Sequence, residues 1–203
     1  MGPQRLVPQE RDWSFATTSF LLFTVSLVAF RRALKVNLGS AAGFLLQACA
    51  GALGAIHSCS GEAAPLLARS QREAGWLAAV LGLPLVSFGF HWTNRDLLAA
   101  NSVVAGGILA AACSDPLASG GQGPAVRAAV AAALLSVLTV SLFTANAWGV
   151  AGSLVTLLSV TATELWPAGP SCLRGPCVHS LLLTAGIVAL QRALSAQHTA
   201  EPA

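Results

Sequence analysis

Histidine and carboxylate side chains that lie near each other in the chain are the first candidates for catalysis. His91 and Asp96 are separated by four residues, and such a pair can act as general base and orienting acid in a lipid-modifying membrane enzyme. The structural alternative is that Asp96 caps the helix that follows it and pairs with Arg95. Glu164 and His179 form a second pair across a later loop. The two pairs are expected on opposite membrane faces, so one site cannot contain both.

Sequence motifs of common catalytic sites are absent from the chain. It contains no HExxH, no GxSxG, no Walker A loop and no glycine-rich dinucleotide fingerprint. A membrane-embedded hydrolase or transferase needs a nucleophile or a metal together with a general base. We therefore expect a protein that is not an enzyme and that has no catalytic residues, no cofactor and no metal.

Four amide side chains are the candidates for a polar path through the membrane. Asn37, Asn101 and Asn146 are each followed within six residues by an Ala-Gly pair, which suggests a weak internal repeat, and Gln47 lies inside an apolar segment. As helix-opening residues, the asparagines would accept hydrogen bonds from free backbone N–H groups. As path residues, all four would line a passage for a small solute or a lipid near the second, fourth and sixth helices. Both interpretations remain open from the sequence.

Hydroxyl side chains recur along the fifth and sixth apolar segments. In lipid such groups usually hydrogen-bond to carbonyls of the preceding turn or across helices. A polar path is the alternative interpretation. The series comprises Ser136, Thr139, Ser141, Thr144, Ser153, Thr156, Ser159, Thr161 and Thr163.

Two cysteines near the end of the chain can form a local disulfide. Cys172 and Cys177 are separated by Leu-Arg-Gly-Pro, and an oxidising compartment would allow them to close a small loop. The alternatives are free or acylated thiols and a less favoured zinc site with His179, which lacks a second pair of ligands. The basic cluster at residues 31–35 favours a cytosolic first link, and hence a lumenal N-terminus. On that topology the two cysteines lie on the oxidising side.

The composition indicates that lipid covers most of the protein. Hydrophobic residues make up 55% of the 203 residues and charged residues only 9%, with a mean hydropathy of +0.68. Soluble domains carry about 25% charged residues, so this chain is too poor in charge to form a water-facing surface of its own size. The net charge of +3 is small and scattered, which makes nucleic acid an improbable partner.

The longest apolar run, residues 128–163, predicts a helical hairpin. It contains no charged residue and would be roughly 54 Å long as one helix. The hydrocarbon core of a bilayer is about 30 Å thick and needs roughly 20 residues per crossing. The run therefore predicts two spans that turn near Asn146.

The whole chain predicts an all-α, multipass transmembrane helix bundle with about seven spans, or six if the weak last segment does not cross. Three helical hairpins and a final helix follow a polar N-terminal segment, residues 1–12, and precede a polar tail, residues 195–203. A short interfacial helix is expected over 63–72, and Pro84 is expected to kink the third span. Gly39 and Gly43 have the small-xxx-small spacing that allows close helix packing. The predicted spans are about 13–30, 38–56, 75–90 and 97–113, two within 128–163, and 177–194.

The favoured function is that of an accessory, assembly or trafficking-type membrane protein that acts through helix–helix association. The alternatives are a small-solute or lipid transporter and, third, a lipid-modifying enzyme. The expected partners are the lipid bilayer and other membrane proteins, and the sequence does not define the oligomeric state. Predicted spans of about 17 to 19 residues fit the thinner bilayer of the endoplasmic reticulum or Golgi better than the plasma membrane.

Overall fold

The computed structural model describes residues 13–60, 65–115, 123–165 and 175–200, apart from the side chains of 162–165 and 200. The secondary structure of these residues is helical, and no strand occurs among them. Apolar stretches separated by short polar links explain this pattern, since a helix satisfies its own backbone groups in lipid. The helices are α1 Trp13–Ala33, α2 Leu38–Ser60, α3 Pro65–Thr93, α4 Leu97–Ala112, α5 Pro124–Phe143, α6 Ala147–Leu165 and α7 Gly175–Ala200.

Five of these helices are long and apolar enough to cross a membrane: α1, α2, α3, α5 and α7. The helices α4 and α6 are apolar but shorter within the described residues. At 16 residues, α4 is about 24 Å long, which is less than the thickness of an average hydrocarbon core. The predicted class, an all-α multipass membrane bundle, is confirmed.

The helices pair as three hairpins and a final helix, as the sequence predicts. The first hairpin is α1 with α2, the second α3 with α4 and the third α5 with α6. The last helix, α7, packs against α6 and α1 and touches α3. One apolar cluster, which includes Phe44, Phe90 and Ile187, joins α2, α3 and α7. A second cluster, which includes Val80 and Val130, joins α3, α4 and α5.

The turns of the second and third hairpins have the same hydrogen-bond pattern. Arg95 and Ala145 have positive φ angles of 61° and 51°, the left-handed conformation that often ends a helix. The next residue in each turn, Asp96 or Asn146, donates its backbone N–H to a carbonyl five residues earlier, at 3.0 and 2.8 Å. The side chains of Asp96 and Asn146 then cap the following helix by accepting backbone N–H groups. The repeat is therefore a turn shared by the second and third hairpins, in which Asp96 corresponds to Asn146.

The third helix differs from the prediction, because it starts earlier and is continuous. The expected interfacial helix over 63–72 and the expected third span over 75–90 are one helix, Pro65–Thr93. Its residues Ala78–Gly82 form a π-helical segment that ends two residues before Pro84. Because proline has no N–H and crowds the carbonyl four residues earlier, the extra residue in the π turn accommodates it.

Two glycines allow α2 and α4 to approach this π-helical segment closely. A Cβ atom added to Gly43 would lie 2.5 Å from the carbonyl oxygen of Gly82. A Cβ atom on Gly107 would lie 2.7 Å from the carbonyl oxygen of Val80. Both distances are shorter than a van der Waals contact, so a larger residue at either position would push the helices apart. The small-xxx-small pair of α2 thus packs on α3, as its spacing predicts.

The last helix continues to Ala200, through most of the segment predicted to be a polar tail. Two of its polar residues contact other helices. Arg32 donates to Oε1 of Gln191 at 3.3 Å, and the guanidinium of Arg192 lies 4.8 Å from the ring centre of Trp148. These contacts explain how a segment with weak apolar character packs as a helix of the bundle.

Candidate functional site

Gln47 is buried and forms a hydrogen bond between two helices. Its side chain is 3% exposed, and Nε2 donates to the carbonyl oxygen of Ala78 at 2.8 Å. Ala78 begins the π-helical segment, where its carbonyl also accepts the backbone N–H of Leu83. The amide therefore links α2 to the irregular part of α3. Gln47 also lines a cavity that none of the three asparagines lines.

Two of the predicted path residues cap helices. Oδ1 of Asn37 accepts the backbone N–H groups of Gly39 and Ser40 at 2.7 and 3.3 Å. Oδ1 of Asn146 accepts the N–H of Gly149 at 3.2 Å, while Nδ2 donates to the carbonyl oxygen of Ala193 at 2.9 Å. Asn146 thus closes the third hairpin and binds α7 at the same time.

Asn101 has a different environment from the other two asparagines. It lies inside α4, five residues after the capping Asp96, and its side chain is exposed. Asn37 and Asn101 line the same surface groove, which also contains Phe88, Trp92 and Ile108 and has a volume of about 690 Å³. The four predicted path residues are thus divided between this groove, the cavity at Gln47 and the turn at Asn146.

The hydroxyl series of the third hairpin forms mostly local hydrogen bonds, as expected for hydroxyls in lipid. The acceptors are main-chain carbonyls three or four residues earlier in the same helix. This arrangement holds for Thr139, Thr144, Ser153, Ser159 and Thr161.

His91 and Asp96 lie close together, and a third residue joins them. Nδ1 of His91 lies 3.8 Å from Oδ2 of Asp96, and Nε2 of His91 is hydrogen-bonded to the hydroxyl of Ser136 on α5. The order serine, histidine, aspartate is that of a hydrolytic triad. The sequence indicated Ser136 only as a member of the hydroxyl series. Its pairing with His91 could not be predicted from the sequence, because the two residues are 45 positions apart.

Two features of this cluster favour a structural role. The contact between Nδ1 and Asp96 is too long for a hydrogen bond, and Oδ1 of the same carboxylate caps α4 through Ala99 at 3.0 Å. Ser136 lies within the continuous helix α5, where its backbone N–H is used inside the helix and cannot stabilise an oxyanion. His91 is 5% exposed, so its bond to Ser136 ties α3 to α5 in the interior.

The second predicted pair is only half described. Nδ1 of His179 lies 2.8 Å from the carbonyl oxygen of Ser159, whereas the side chain of Glu164 is outside the described residues. The proposed disulfide partner Cys172 is also outside them, and Cys177 is buried in α7. Cys49, Cys59 and Cys113 are free and exposed. No group of three potential metal ligands occurs among the described residues.

The outer face of α4 is poorly covered by the other described helices. Only Ala100, Gly107 and Ala110 of this helix are buried, and Leu98 and Leu109 are 81% and 65% exposed. A groove of about 510 Å³ runs between α4 and α5. Its lining is dominated by small side chains, including Ser102, Gly106, Ala125, Ala128, Ala129 and Ala132.

Gly106 and Gly107 are neighbours with opposite surroundings. A Cβ atom on Gly107 would collide with the main chain of α3, whereas a Cβ atom on Gly106 would meet nothing within 4 Å. Glycine inside a helix is less favourable than alanine by about 1 kcal/mol. Packing against α3 explains why position 107 needs a glycine. No contact within the described bundle explains the glycine at position 106.

These helices define the class of the protein as a multipass helical membrane protein. Comparison with known proteins then places it more narrowly. The chain is 38% identical to bovine transmembrane protein 276 (Bos taurus), over 71% of this chain and 72% of the relative. It is 36% identical to the mouse protein of that name (Mus musculus), over 73% of each chain, and 35% identical to the human one (Homo sapiens), over 70% of each. The chain belongs to the transmembrane protein 276 family.

Two further comparisons returned no match. No model of a known protein family matches the sequence, and no solved structure matches the fold.

Proposed function

We propose that the protein is a non-enzymatic accessory or assembly protein that binds a transmembrane helix of a partner in the groove between α4 and α5. The observation that carries this proposal is the open environment of Gly106. Helices in lipid associate through small residues that allow the backbones to approach closely. Ser102 and Gly106 provide that spacing on α4, and the alanines of α5 form the opposite wall.

The position of α4 supports the same proposal. It packs mainly against α3 and α5, so one side of the helix has no neighbour within the described bundle. Exposed leucines such as Leu98 and Leu109 are suited to contact with lipid. Contact with lipid does not require the small residues that line the groove. A partner helix in the groove would bury Gly106, and the absence of a side chain there would allow the two helix backbones to approach closely.

Photo-crosslinking in intact membranes tests this proposal. A photoreactive amino acid in place of Leu109, beside the groove, is expected to give one discrete adduct with another membrane protein. Gly106→Leu would fill the groove and reduce that adduct roughly tenfold, the effect of losing about 1–2 kcal/mol of helix packing. The same photoreactive residue in place of Phe20, which is 60% exposed on α1, is the matched control and is expected to give no adduct.

A second substitution separates binding from folding. Gly107→Leu is expected to lower the thermal stability of the protein, because it forces α4 away from α3. Gly106→Leu is expected to raise that stability slightly, because leucine favours the helix more than glycine does and a Cβ atom at this position meets nothing within 4 Å. An adduct of undiminished yield in the Gly106→Leu variant would contradict helix docking in this groove.

The absence of catalysis is part of the same proposal. The engagement of Asp96 as a helix cap and the mid-helix position of Ser136 support a structural His91. Ser136→Ala should therefore lower stability through the lost hydrogen bond, and His91→Asn should lower it further, because the smaller side chain leaves unfilled space at a buried position. A serine-directed fluorophosphonate probe that labels the protein, but not the Ser136→Ala variant, would overturn the non-enzymatic assignment.

We further propose that the protein resides in the endoplasmic reticulum or Golgi. The five helices long enough to cross a membrane have 20 to 29 residues, more than the 17 to 19 predicted, so span length no longer supports this location. The remaining support is the short α4, about 24 Å long, because the bilayer of the endoplasmic reticulum is thinner than the plasma membrane by several Å. Microscopy of the tagged full-length chain should show co-localisation with markers of these compartments. Steady-state accumulation at the cell surface would contradict it.

A further inference from the structure

A cavity of about 170 Å³ lies between α2, α3, α5, α6 and α7. Its lining includes residues near the N-terminal ends of α5 and α7, and it reaches inward to Gln47 in the middle of α2. A site for one water molecule needs about 10–15 Å³ of such volume, so this cavity has room for roughly ten. That is enough space for a phosphate group together with part of a larger molecule.

The polar part of the cavity is basic. Arg72 of α3, Arg127 of α5 and His179 of α7 line it, and none of its described lining residues is an aspartate or glutamate. The neighbouring Arg69 differs from Arg72, because its Nε donates to Oε1 of Glu73 at 2.7 Å. The hydrogen bond of Arg72 goes from Nε to the carbonyl oxygen of Ala68 at 3.4 Å, and both Arg72 and Arg127 are exposed. Arginine side chains bind phosphate oxygens through two parallel N–H groups.

The tautomer of His179 follows from its partner. A carbonyl oxygen can only accept a hydrogen bond, so the proton must lie on Nδ1, which is 2.8 Å from the oxygen of Ser159. Nε2 is then left to accept a hydrogen bond from the hydroxyl of a phosphate monoester, or to donate one when the ring is protonated. The ring is thus held in a fixed orientation in the lining of the cavity that Arg72 and Arg127 also line.

Apart from Gln47 and Ser159, the rest of the cavity is mostly apolar. Leu83 lies three turns beyond Arg72 along α3, Val130 lies about one turn beyond Arg127, and Leu183 lies one turn beyond His179. All three are deeper in the bundle than the basic residues. A soluble anion gains nothing from this lining, whereas an amphiphile buries apolar surface against it.

We propose that this cavity binds the phosphate group of an anionic lipid. Arg72 and Arg127 contact the phosphate oxygens at the end of the bundle, and Leu83, Val130 and Leu183 contact the apolar part. Phosphate is the shared chemistry of a lipid headgroup and a soluble phosphate ester. The apolar lining favours the lipid.

Native mass spectrometry of the purified full-length chain in detergent tests this proposal. The probes are phosphatidic acid, phosphatidylcholine and soluble glycerol 3-phosphate. Phosphatidic acid is expected to bind with a ratio of one to one and more tightly than either of the others. Arg72→Gln and Arg127→Gln should each weaken its binding by about tenfold, because a charge-assisted hydrogen bond contributes about that factor.

Two further variants make the result specific. Arg31→Gln changes an exposed arginine at the opposite end of the bundle and should alter the dissociation constant by less than about twofold. Ala50→Leu fills the cavity and should abolish binding while both arginines remain. Circular dichroism and size-exclusion chromatography establish that each variant is folded.

Three outcomes would overturn the proposal. The first is a loss of phosphatidic acid affinity in Arg31→Gln as large as that in Arg72→Gln, which would mean that the lipid binds to positive surface charge and not to this cavity. The second is equal affinity for phosphatidylcholine. The third is equal affinity for glycerol 3-phosphate, which would identify a soluble phosphate as the ligand.

Discussion

Asp96 and Asn146 occupy the same position in two successive helical hairpins. Each follows a residue with positive φ and donates its backbone N–H to a carbonyl five residues earlier. Each then caps the next helix with Oδ1, through Ala99 in one hairpin and Gly149 in the other. They differ in their further contacts: Nδ2 of Asn146 donates to the carbonyl oxygen of Ala193, whereas Oδ2 of Asp96 lies 3.8 Å from Nδ1 of His91.

This difference gives a prediction that separates the two roles of Asn146. Asp96→Ala should lower the free energy of unfolding by about 1 kcal/mol, the usual contribution of a cap. Asn146→Ala should lower it by about 2 kcal/mol, because the bond to α7 is lost as well. Thermal unfolding in detergent measures both effects.

Asn146→Asp is the control, because it keeps the cap acceptor and removes the donor to Ala193. Its stability should be below that of the unchanged protein, since a carboxylate would face a carbonyl. A stable Asn146→Asp variant would show that the bond to α7 contributes nothing.

The conformation of Ala145 gives a second prediction. Its φ of 51° is unfavourable by about 1–2 kcal/mol for a residue with a Cβ atom, and glycine avoids that strain at an entropic cost of 0.5–1 kcal/mol. Ala145→Gly should therefore raise the free energy of unfolding by roughly 0.5 kcal/mol. Ala151→Gly, at an exposed position inside α6, should lower it by about 1 kcal/mol. Equal effects of the two substitutions would rule out strain at Ala145.

The hydrogen bond of Gln47 gives a third prediction. Gln47→Met keeps the approximate volume of the side chain but removes the donor to Ala78. The free energy of unfolding should fall by about 1 kcal/mol, the size typical of hydrogen bonds between membrane helices. Leu45→Met, on an exposed side of the same helix, should change it by less than about 0.5 kcal/mol. No loss in Gln47→Met would mean that the amide does not hold α2 against α3.

The cysteines give a fourth prediction, about orientation. Cys59 at the end of α2 and Cys113 at the end of α4 are exposed and belong to the same end of the bundle. Variants with only one of these cysteines should react with a membrane-impermeant maleimide from the same side. With a lumenal N-terminus, labelling in sealed microsomes should require permeabilisation. Labelling of the two cysteines from opposite sides would contradict the antiparallel order of the helices.

Local patterns in the sequence predicted the elements of the fold well. The uncharged run over 128–163 implied two helices with a turn near Asn146, and the structure has α5, α6 and a link over 144–146. The start of the third span was predicted too late in the chain, because the first turns of this helix are polar. Residues from Pro65 to Leu77 alone would suit a membrane surface, but they continue into the apolar part without a break.

The asparagine repeat shows how a short sequence pattern can align the wrong positions of two hairpins. The pattern of Asn followed by Ala-Gly placed Asn101 in the series, although the turn that corresponds to Asn146 contains Asp96. A helix cap needs only a side-chain oxygen at the right place, so Asn and Asp are interchangeable there. The backbone conformation of the turn, rather than the residue type, defines the repeat.

The sequence by itself determined that the chain is a membrane bundle, because hydropathy and charge act locally along each segment. Tertiary structure alone distinguished Gly106 from Gly107, since the side of α4 that meets α3 depends on how the helix is rotated in the bundle. It also brought Arg72, Arg127 and His179 around one cavity. Residues so far apart in the chain have no common local pattern, and only the packing of α3, α5 and α7 places their side chains together.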